Sequence, residues 1–318
     1  MSEHALPTKE PMKFAEGRHI PQLEIAAWIA FAFYLILVVG FAWNPTPLAQ
    51  GLAAIGIAAA CAHAVLFYGW RDAAVLMVIC LVTTFTMENV GSITGLPFGQ
   101  YHFEVGSNLI HVGVIPIIVG PLWFGMGYFA WIIAGILLGR TGPRLIGTFE
   151  TFARPIVAAF VMTQWDAVMD PPEATISKAW IWHDGGGHFG VPLSNYFGWL
   201  LTAWLFYQAF ALYLGRRTMA APTIERQRTF GLVAILFYLS SGLTHVTAWF
   251  IGQSGEVADA AGHIWRVQDV REATVAVMLF TMLFTSMLAA LGLAADHLRT
   301  GARTHEKTYR QDAESVEA

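Results

Sequence analysis

The sequence predicts an all-α polytopic membrane protein with about eight transmembrane helices, a re-entrant glycine-rich loop and both termini in the cytoplasm. Of its 318 residues, 56% are hydrophobic and 13% are charged, whereas an ordinary globular domain is about 25% charged. The mean hydropathy is +0.53. Apolar runs of about 20 residues, the length that crosses the hydrocarbon of a bilayer, recur along the chain. These observations exclude a water-soluble globule and a disordered chain.

Eight apolar runs are long enough to span a membrane. They are 23–43, 48–69, 72–92, 117–139, 150–170, 194–215, 229–251 and 272–295. The first ends without a small-residue cleavage pattern, so we expect a retained helix rather than a signal peptide. The chain then divides into a polar N-terminus (1–22), one transmembrane helical domain (23–297) and a polar cytoplasmic tail (298–318).

The basic residues predict the orientation. All 18 except Lys178, Arg266 and Arg271 fall on one side of the eight spans, which the positive-inside rule makes cytoplasmic. The net charge of −4 is too weak to indicate a charged partner such as a nucleic acid. Cys61 and Cys80 lie in apolar runs and suggest no disulfide framework.

Polar side chains gather at the non-cytoplasmic ends of the spans, whereas the cytoplasmic halves read as almost purely apolar. Glu88, Asp166 and His245 lie ~24, ~18 and ~24 Å along their helices. An ionisable group at such depth is costly. We therefore expect a shared polar cavity, joined by Asp170 one turn after Asp166 and by Trp249 one turn after His245. Ser and Thr on these helices also fit a purely structural role between helices.

Two outer segments are rich in glycine and aromatic residues. Residues 91–101 hold three Gly and one Pro among apolar residues, which predicts a re-entrant loop buried in protein. Residues 171–195 hold Trp180, Trp182 and three consecutive glycines. Their tryptophans also fit an interfacial belt.

Several chemistries fit parts of this pattern. His183 and His188 resemble one histidine box of a di-iron desaturase, but the other boxes are missing. The D-x-x-x-D of Asp166 and Asp170 resembles one motif of the Mg-dependent membrane prenyltransferases, without the second. A transporter is a further alternative, since buried carboxylates also mark proton pathways.

Acid–base chemistry on an apolar substrate fits the pattern best. A neutral carboxylic acid in a low-dielectric pocket can protonate an alkene, and aromatic faces can stabilise the resulting cation. The available aromatic residues are Tyr101, Trp165, Tyr196, Trp199 and Trp249.

Several motifs in order resemble the membrane carotenoid end-group hydratases, a family that includes γ-carotene 1′-hydratases and bisanhydrobacterioruberin hydratases. They are the segment from Glu88 to Tyr101, then Pro116 and Trp123, Trp165-Asp166, Asp170-Pro171, Trp180-Ile181-Trp182, and the segment from Gly190 to Trp199. The resemblance covers residues 80–215 clearly and the last two spans weakly. The chain departs from the family pattern at Phe103, where a tyrosine is frequent, and at His188-Phe189, where aromatics such as paired tyrosines are usual.

The resemblance implies addition of water across the terminal C1–C2 double bond of a linear ψ-end carotenoid in the bilayer, giving a tertiary alcohol, with no metal or other cofactor. It implies that Glu88, Asp166 and Asp170 supply the acid and base, and His245 is a further candidate base. Tyr101 and Asn195 would hold the water, and Trp199 would shield the cation. Trp165, Trp182, Tyr196 and Trp249 complete the expected substrate site. We expect a hydro-lyase in the cytoplasmic (inner) membrane, with its site toward the non-cytoplasmic side and other carotenoid-pathway enzymes as potential partners.

Overall fold

The structure is a computed structural model that describes residues 29, 32, 45–217, 224–252 and 254–295. Over these ranges the chain forms seven α-helices joined by short strands. The helices are α1 (Pro45–Tyr68), α2 (Trp70–Thr94), α3 (Val119–Leu137), α4 (Gly147–Asp170), α5 (Leu193–Leu214), α6 (Ile224–Ile251) and α7 (Val267–Met278). Two π-helical segments, Pro171–Ile176 and Leu279–Leu283, extend α4 and α7.

The seven later predicted spans each coincide with one of these helices, which confirms a mostly helical chain. Among the described residues, five helical stretches are long and apolar enough to cross a membrane: Trp70–Thr94, Val119–Leu137, Leu193–Leu214, Gln227–Ile251 and Val267–Ala295. The predicted span 23–43, apart from residues 29 and 32, and the polar segments 1–22 and 298–318 lie outside the described residues. The total of eight helices and the placement of the termini stay predictions.

Helix α3 lies at the centre of the bundle. Most of its residues are buried, and it packs against α1, α2, α4 and α6. Helix α4 packs along α5 and also contacts α7. Large apolar side chains such as Phe280 and Phe284 remain exposed on the outer face of the last helix, as expected for a surface that faces lipid.

Three short antiparallel strand pairs join the helices. They are β1 (Tyr101–Phe103) with β4 (Trp180–Trp182), β2 (His111–Val112) with β3 (Ile115–Pro116), and β5 (Glu256–Ala258) with β6 (Ile264–Arg266). The first pair is the important one for the site. It aligns Tyr101 with Trp182 and thereby ties the connection after α2 to the connection after α4.

The glycine-rich segment after α2 is held by a buried phenylalanine. Phe98 lies between α2 and α5, at Gly91 and Gly198. A Cβ atom at either glycine would approach the Phe98 ring to 2.5 or 2.4 Å, which is too close for any side chain. The glycines are therefore required for the loop to enter between two helices. Whether this loop is re-entrant in the bilayer stays a prediction.

The expectation of almost purely apolar span halves on the side that we predict to be cytoplasmic is wrong. His63, Asp72, Glu150 and Arg154 are all buried in these halves. Arg154, expected to flank a loop, lies with its guanidinium 4.5 Å from the centre of the Trp131 ring and 3.7 Å from Glu150. Pairing and aromatic contact lower the cost of burying these charges.

Candidate active site

Glu88 lies six residues before the end of α2 and is buried. Each of its carboxylate oxygens accepts a hydrogen bond from a neutral donor. The Trp123 indole Nε1 donates to Oε1 at 2.8 Å, and the Tyr101 hydroxyl donates to Oε2. Burial and the adjacent Glu88 carboxylate raise the pKa of Tyr101 above its ordinary value, so its hydroxyl keeps its proton and remains a donor.

Asp166 and Asp170 lie one turn apart at the end of α4, on the same helical face. Both are buried and share a single amide donor. The Asn195 Nδ2 group donates to Asp166 Oδ2 at 3.0 Å and to Asp170 Oδ2 at 2.6 Å. Asn195 is itself buried in the first turn of α5, so the packing of α4 on α5 sets this contact.

Strand β4 contributes two further donors to Asp170. The indole Nε1 atoms of Trp180 and Trp182 lie 2.6 and 3.4 Å from Asp170 Oδ1. These tryptophans are two apart on a strand, so their side chains point to the same face. Trp182 also packs against Tyr101, with ring centres 4.8 Å apart. The β1–β4 pair thus brings a donor to Glu88, Tyr101, into contact with a donor to Asp170, Trp182.

A set of indole rings stands beside the carboxyl groups. Trp123 stacks on Trp199 with ring centres 3.7 Å apart and an angle of 11° between the planes. Trp165 lies 5.9 Å from Trp199. Because aromatic faces carry negative partial charge, they suit a positively charged intermediate.

These residues border one cavity of about 700 Å³. Its polar part holds Glu88, Asp166, Asp170, Asn195 and His245, together with Glu173, Ser241 and Thr244. The rest is mainly apolar and extends to small residues of α1 and α3, namely Ala53, Ala54, Gly56 and Gly125. No lysine or arginine is among the described lining residues.

The structure brings nine of the predicted site residues to this cavity. They are Glu88, Tyr101, Trp165, Asp166, Asp170, Trp182, Asn195, Trp199 and His245. His245 lines the cavity, and no hydrogen bond joins it to the three carboxyl groups within the described part of the chain.

Tyr196 and Trp249 are not among the residues that line the cavity, which corrects their predicted place. Tyr196 lies at the edge of the site, where its hydroxyl is hydrogen-bonded to His188 Nδ1 at 2.6 Å. Trp249 instead packs against Phe250, with ring centres 6.0 Å apart. Helical spacing placed Trp249 on the His245 face, but the cavity ends about one turn earlier.

Among the lining residues to which the sequence prediction gave no role are Trp123, Trp180 and Glu173. Trp180 could have been found, because a residue two positions from Trp182 on a strand shares its face. Trp123 was noted in the motif comparison, but its contact with Glu88 spans 35 residues of sequence. No local sequence pattern indicates a contact between residues so far apart in the chain.

Three described histidines outside the cavity, His102, His183 and His188, pair with other groups. His102 Nδ1 lies 2.7 Å from His183 Nε2, and His102 Nε2 lies 3.0 Å from Glu104. Burial lowers the pKa of His188, so it stays neutral beside Tyr196. In the described ranges, no group of three or more His, Cys, Asp or Glu side chains could hold a metal ion.

The fold and this site define a helical membrane protein with buried carboxyl groups beside a mainly apolar cavity. A family model described as "Carotenoid biosynthesis protein" matches residues 50–265. Because this match covers most of the chain, the protein belongs to that family of carotenoid biosynthesis proteins.

One curated relative carries a named activity. The bisanhydrobacterioruberin hydratase of Haloarcula japonica is 30% identical over 136 residues, which are 42% of this chain and 42% of that protein. The match thus spans less than half the length of this relative, and it supports the carotenoid hydratase family. No solved structure matches the chain.

Proposed function

We propose that this protein is a carotenoid hydratase that adds water across the terminal C1–C2 double bond of a linear ψ-end carotenoid. One observation carries the proposal. Three buried carboxyl groups, whose hydrogen-bond donors within the described residues are all neutral, lie beside stacked indoles at one end of a large, mainly apolar cavity. The named activity of the Haloarcula relative supports the same reaction.

The mechanism begins with protonation of the alkene by a neutral carboxylic acid of this cluster. The proton bonds to C2 and leaves a tertiary cation at C1, next to the Trp123–Trp199 stack. Water then attacks C1 and loses a proton to a second carboxylate or to His245. Positioned acid–base groups contribute roughly 10²–10⁴-fold to such reactions.

The shape of the cavity suits a long apolar substrate. The apolar end beside Gly56 and Gly125 can take the polyene chain, while the end group lies at the carboxyl cluster. Tyr101 and Asn195 are polar groups at this end that can orient the attacking water. By the predicted orientation, the site faces the non-cytoplasmic side of the inner membrane, where other enzymes of carotenoid synthesis could exchange substrate with it.

The direct test is expression in a host that makes lycopene, with mass analysis of the pigments. We expect a more polar carotenoid that is heavier by one water, absent from cells carrying the empty vector. Pigments unchanged in every linear-carotenoid host tried would contradict the proposal. The same experiment separates a hydratase from a carotenoid-binding protein or transporter, which the large apolar cavity would also fit, because a binder makes no new product.

The prenyltransferase alternative is disfavoured by the lining of the cavity. A diphosphate needs cations, and the described lining residues include neither lysine nor arginine. Water addition that persists in membranes treated with a chelator would remove this alternative.

A further inference from the structure

Three of the four carboxyl groups that line the cavity, Glu88, Asp166 and Asp170, differ in how many hydrogen-bond donors they receive. Glu88 has one donor on each oxygen. Asp170 has two indole donors on Oδ1 and the Asn195 amide on Oδ2. Asp166 has the Asn195 amide on Oδ2, and its buried Oδ1 has no partner among the residues that the structure describes. Within that part of the chain, Asp166 Oδ1 is thus the one oxygen of the six without a donor.

This difference decides which group most readily holds a proton. Hydrogen bonds donated to a carboxylate favour its ionised form, and an ionised buried oxygen left without a donor is costly. Asp166 and Asp170 share the two hydrogens of one amide, so their charges lie close together, and neighbouring like charges disfavour ionisation of both. The proton of the pair therefore belongs on Asp166.

On the basis of the proposed function, we infer that Asp166 is the proton donor of the reaction, through Oδ1, and that Glu88 and Asp170 stay ionised beside it. Asp166 borders the cavity, and its Oδ1, buried in the structure, has no hydrogen-bond donor among the described residues that would favour its ionised form. The two anions and the Trp123–Trp199 stack then stabilise the cation that protonation creates.

Atoms and charge are conserved in the transfer of the proton from Asp166 and the addition of water. The O–H bond of Asp166 breaks, the π electrons of the C1–C2 bond form a C–H bond at C2, and C1 becomes cationic. A water oxygen forms the C–O bond at C1. The resulting oxonium loses one proton to the carboxyl cluster, which returns Asp166 to its neutral form, so that only one water is consumed.

Infrared spectroscopy of the purified protein tests the assignment without requiring activity. A neutral carboxylic acid has a carbonyl-stretch band that moves when H₂O is exchanged for D₂O. We expect Asp166→Asn to lose one such band and Glu88→Gln to retain it. A full set of bands in Asp166→Asn, or loss of the band in Glu88→Gln, would overturn the inference. Circular dichroism and elution as a single species identify variants that are folded.

Activity in a lycopene-producing host supplies the second measurement. Asp166→Asn should lower the hydrated product by at least about 10²-fold, and Asp166→Glu, which restores an acid, should recover part of it. Full activity in folded Asp166→Asn would show that another group donates the proton. If the wild-type protein hydrates nothing while Asp166→Asn still loses the infrared band, the proposed function fails and the placement of the proton stands.

Discussion

The two ends of the helical bundle bury acidic residues in opposite ways. At the end that we predict to be cytoplasmic, each acid is paired with a base: Arg217 Nε lies 3.1 Å from Asp72, and Arg154 Nη1 lies 3.7 Å from Glu150. We call this the ion-paired end. At the other end, Glu88, Asp166 and Asp170, the carboxyl cluster, contact tyrosine, tryptophan and asparagine.

By the proposed function, this difference separates structural acids from reactive ones. An opposite charge beside a carboxylate favours its ionised form. A carboxyl group held by neutral donors can exchange a proton while its geometry stays fixed. The comparison therefore predicts that substitutions at the carboxyl cluster change chemistry, whereas substitutions at the ion-paired end change stability.

The largest expected effect tests the chemical half of the comparison. Glu88→Gln and Asp170→Asn keep the shape of each side chain but remove a charge that stabilises the cation. We expect hydration to fall by roughly 10²–10⁴-fold, measured as hydrated carotenoid per amount of folded protein. Glu150→Gln, at the ion-paired end, is the matched control and should keep the specific activity. If Glu88→Gln and Asp166→Asn both keep full activity, the assigned site is wrong.

The second largest expected effect tests the prediction that substitutions at the ion-paired end change stability. Arg154→Met leaves Glu150 buried without its nearest cation, and breaking such a pair costs about 3–5 kcal/mol. We expect a clear fall in the thermal unfolding temperature in detergent, with unchanged specific activity at low temperature. Arg217→Met should cost less, because the side chain of Arg217 is 44% exposed and the Tyr213 hydroxyl still donates to Asp72. Equal losses in the two variants would contradict the distinction.

A third experiment removes one donor from the carboxyl cluster. Tyr101→Phe deletes the hydroxyl that donates to Glu88, and a hydrogen bond to a charged group contributes about 1.5–3 kcal/mol. We expect lower activity together with lower stability. Tyr207→Phe is the control, because that buried hydroxyl donates to the Gly127 carbonyl at 2.6 Å. Tyr207→Phe should lower the stability and leave the activity unchanged. If it lowered the activity as much as Tyr101→Phe does, the loss in Tyr101→Phe would not be specific to the carboxyl cluster.

The smallest effect concerns the apolar end of the cavity. Gly56 lines it, and a Cβ atom there would meet nothing within 4 Å. Gly56→Leu should therefore fold and obstruct the polyene. Overpacking costs about 1–3 kcal/mol, or roughly 5- to 150-fold in binding of the long substrate. Gly51→Leu, on the same helix and equally free of neighbours but away from the cavity, is the control. Equal substrate binding by the two variants would place the polyene elsewhere.

Much of the bundle could be predicted from sequence because its signals are local. Apolar length alone located the helices that correspond to spans two to eight. The depth of Glu88, Asp166 and His245 along their own helices predicted a common cavity, and the structure places all three on one. Helical spacing also joined Asp166 to Asp170.

The remaining features depend on contacts between distant parts of the chain. The bond from Trp123 to Glu88 and the sharing of Asn195 between two aspartates arise from helix packing, which periodicity does not reveal. Periodicity also predicted one residue too many for the cavity. Trp249 has the spacing that places it on the same helical face as His245, but this face extends beyond the cavity. Arg154 was expected to flank a loop and was counted only for its charge, whereas its pairing with Glu150 and Trp131 buries it.

The hydrogen-bond pattern of the carboxyl cluster also bears on how the protein is made. Every donor to Glu88 and Asp170 lies later in the sequence than the acid that it serves: Tyr101 and Trp123 for Glu88, and Trp180, Trp182 and Asn195 for Asp170. Since a ribosome synthesises the chain from its N-terminus, both acids are synthesised before their donors exist. An acid that reaches the bilayer in that interval does so as a neutral group or beside water. Asn195 is the last of these donors to be synthesised. Before that point the nascent chain lacks at least one donor to the two acids, and after it all of these donors are present.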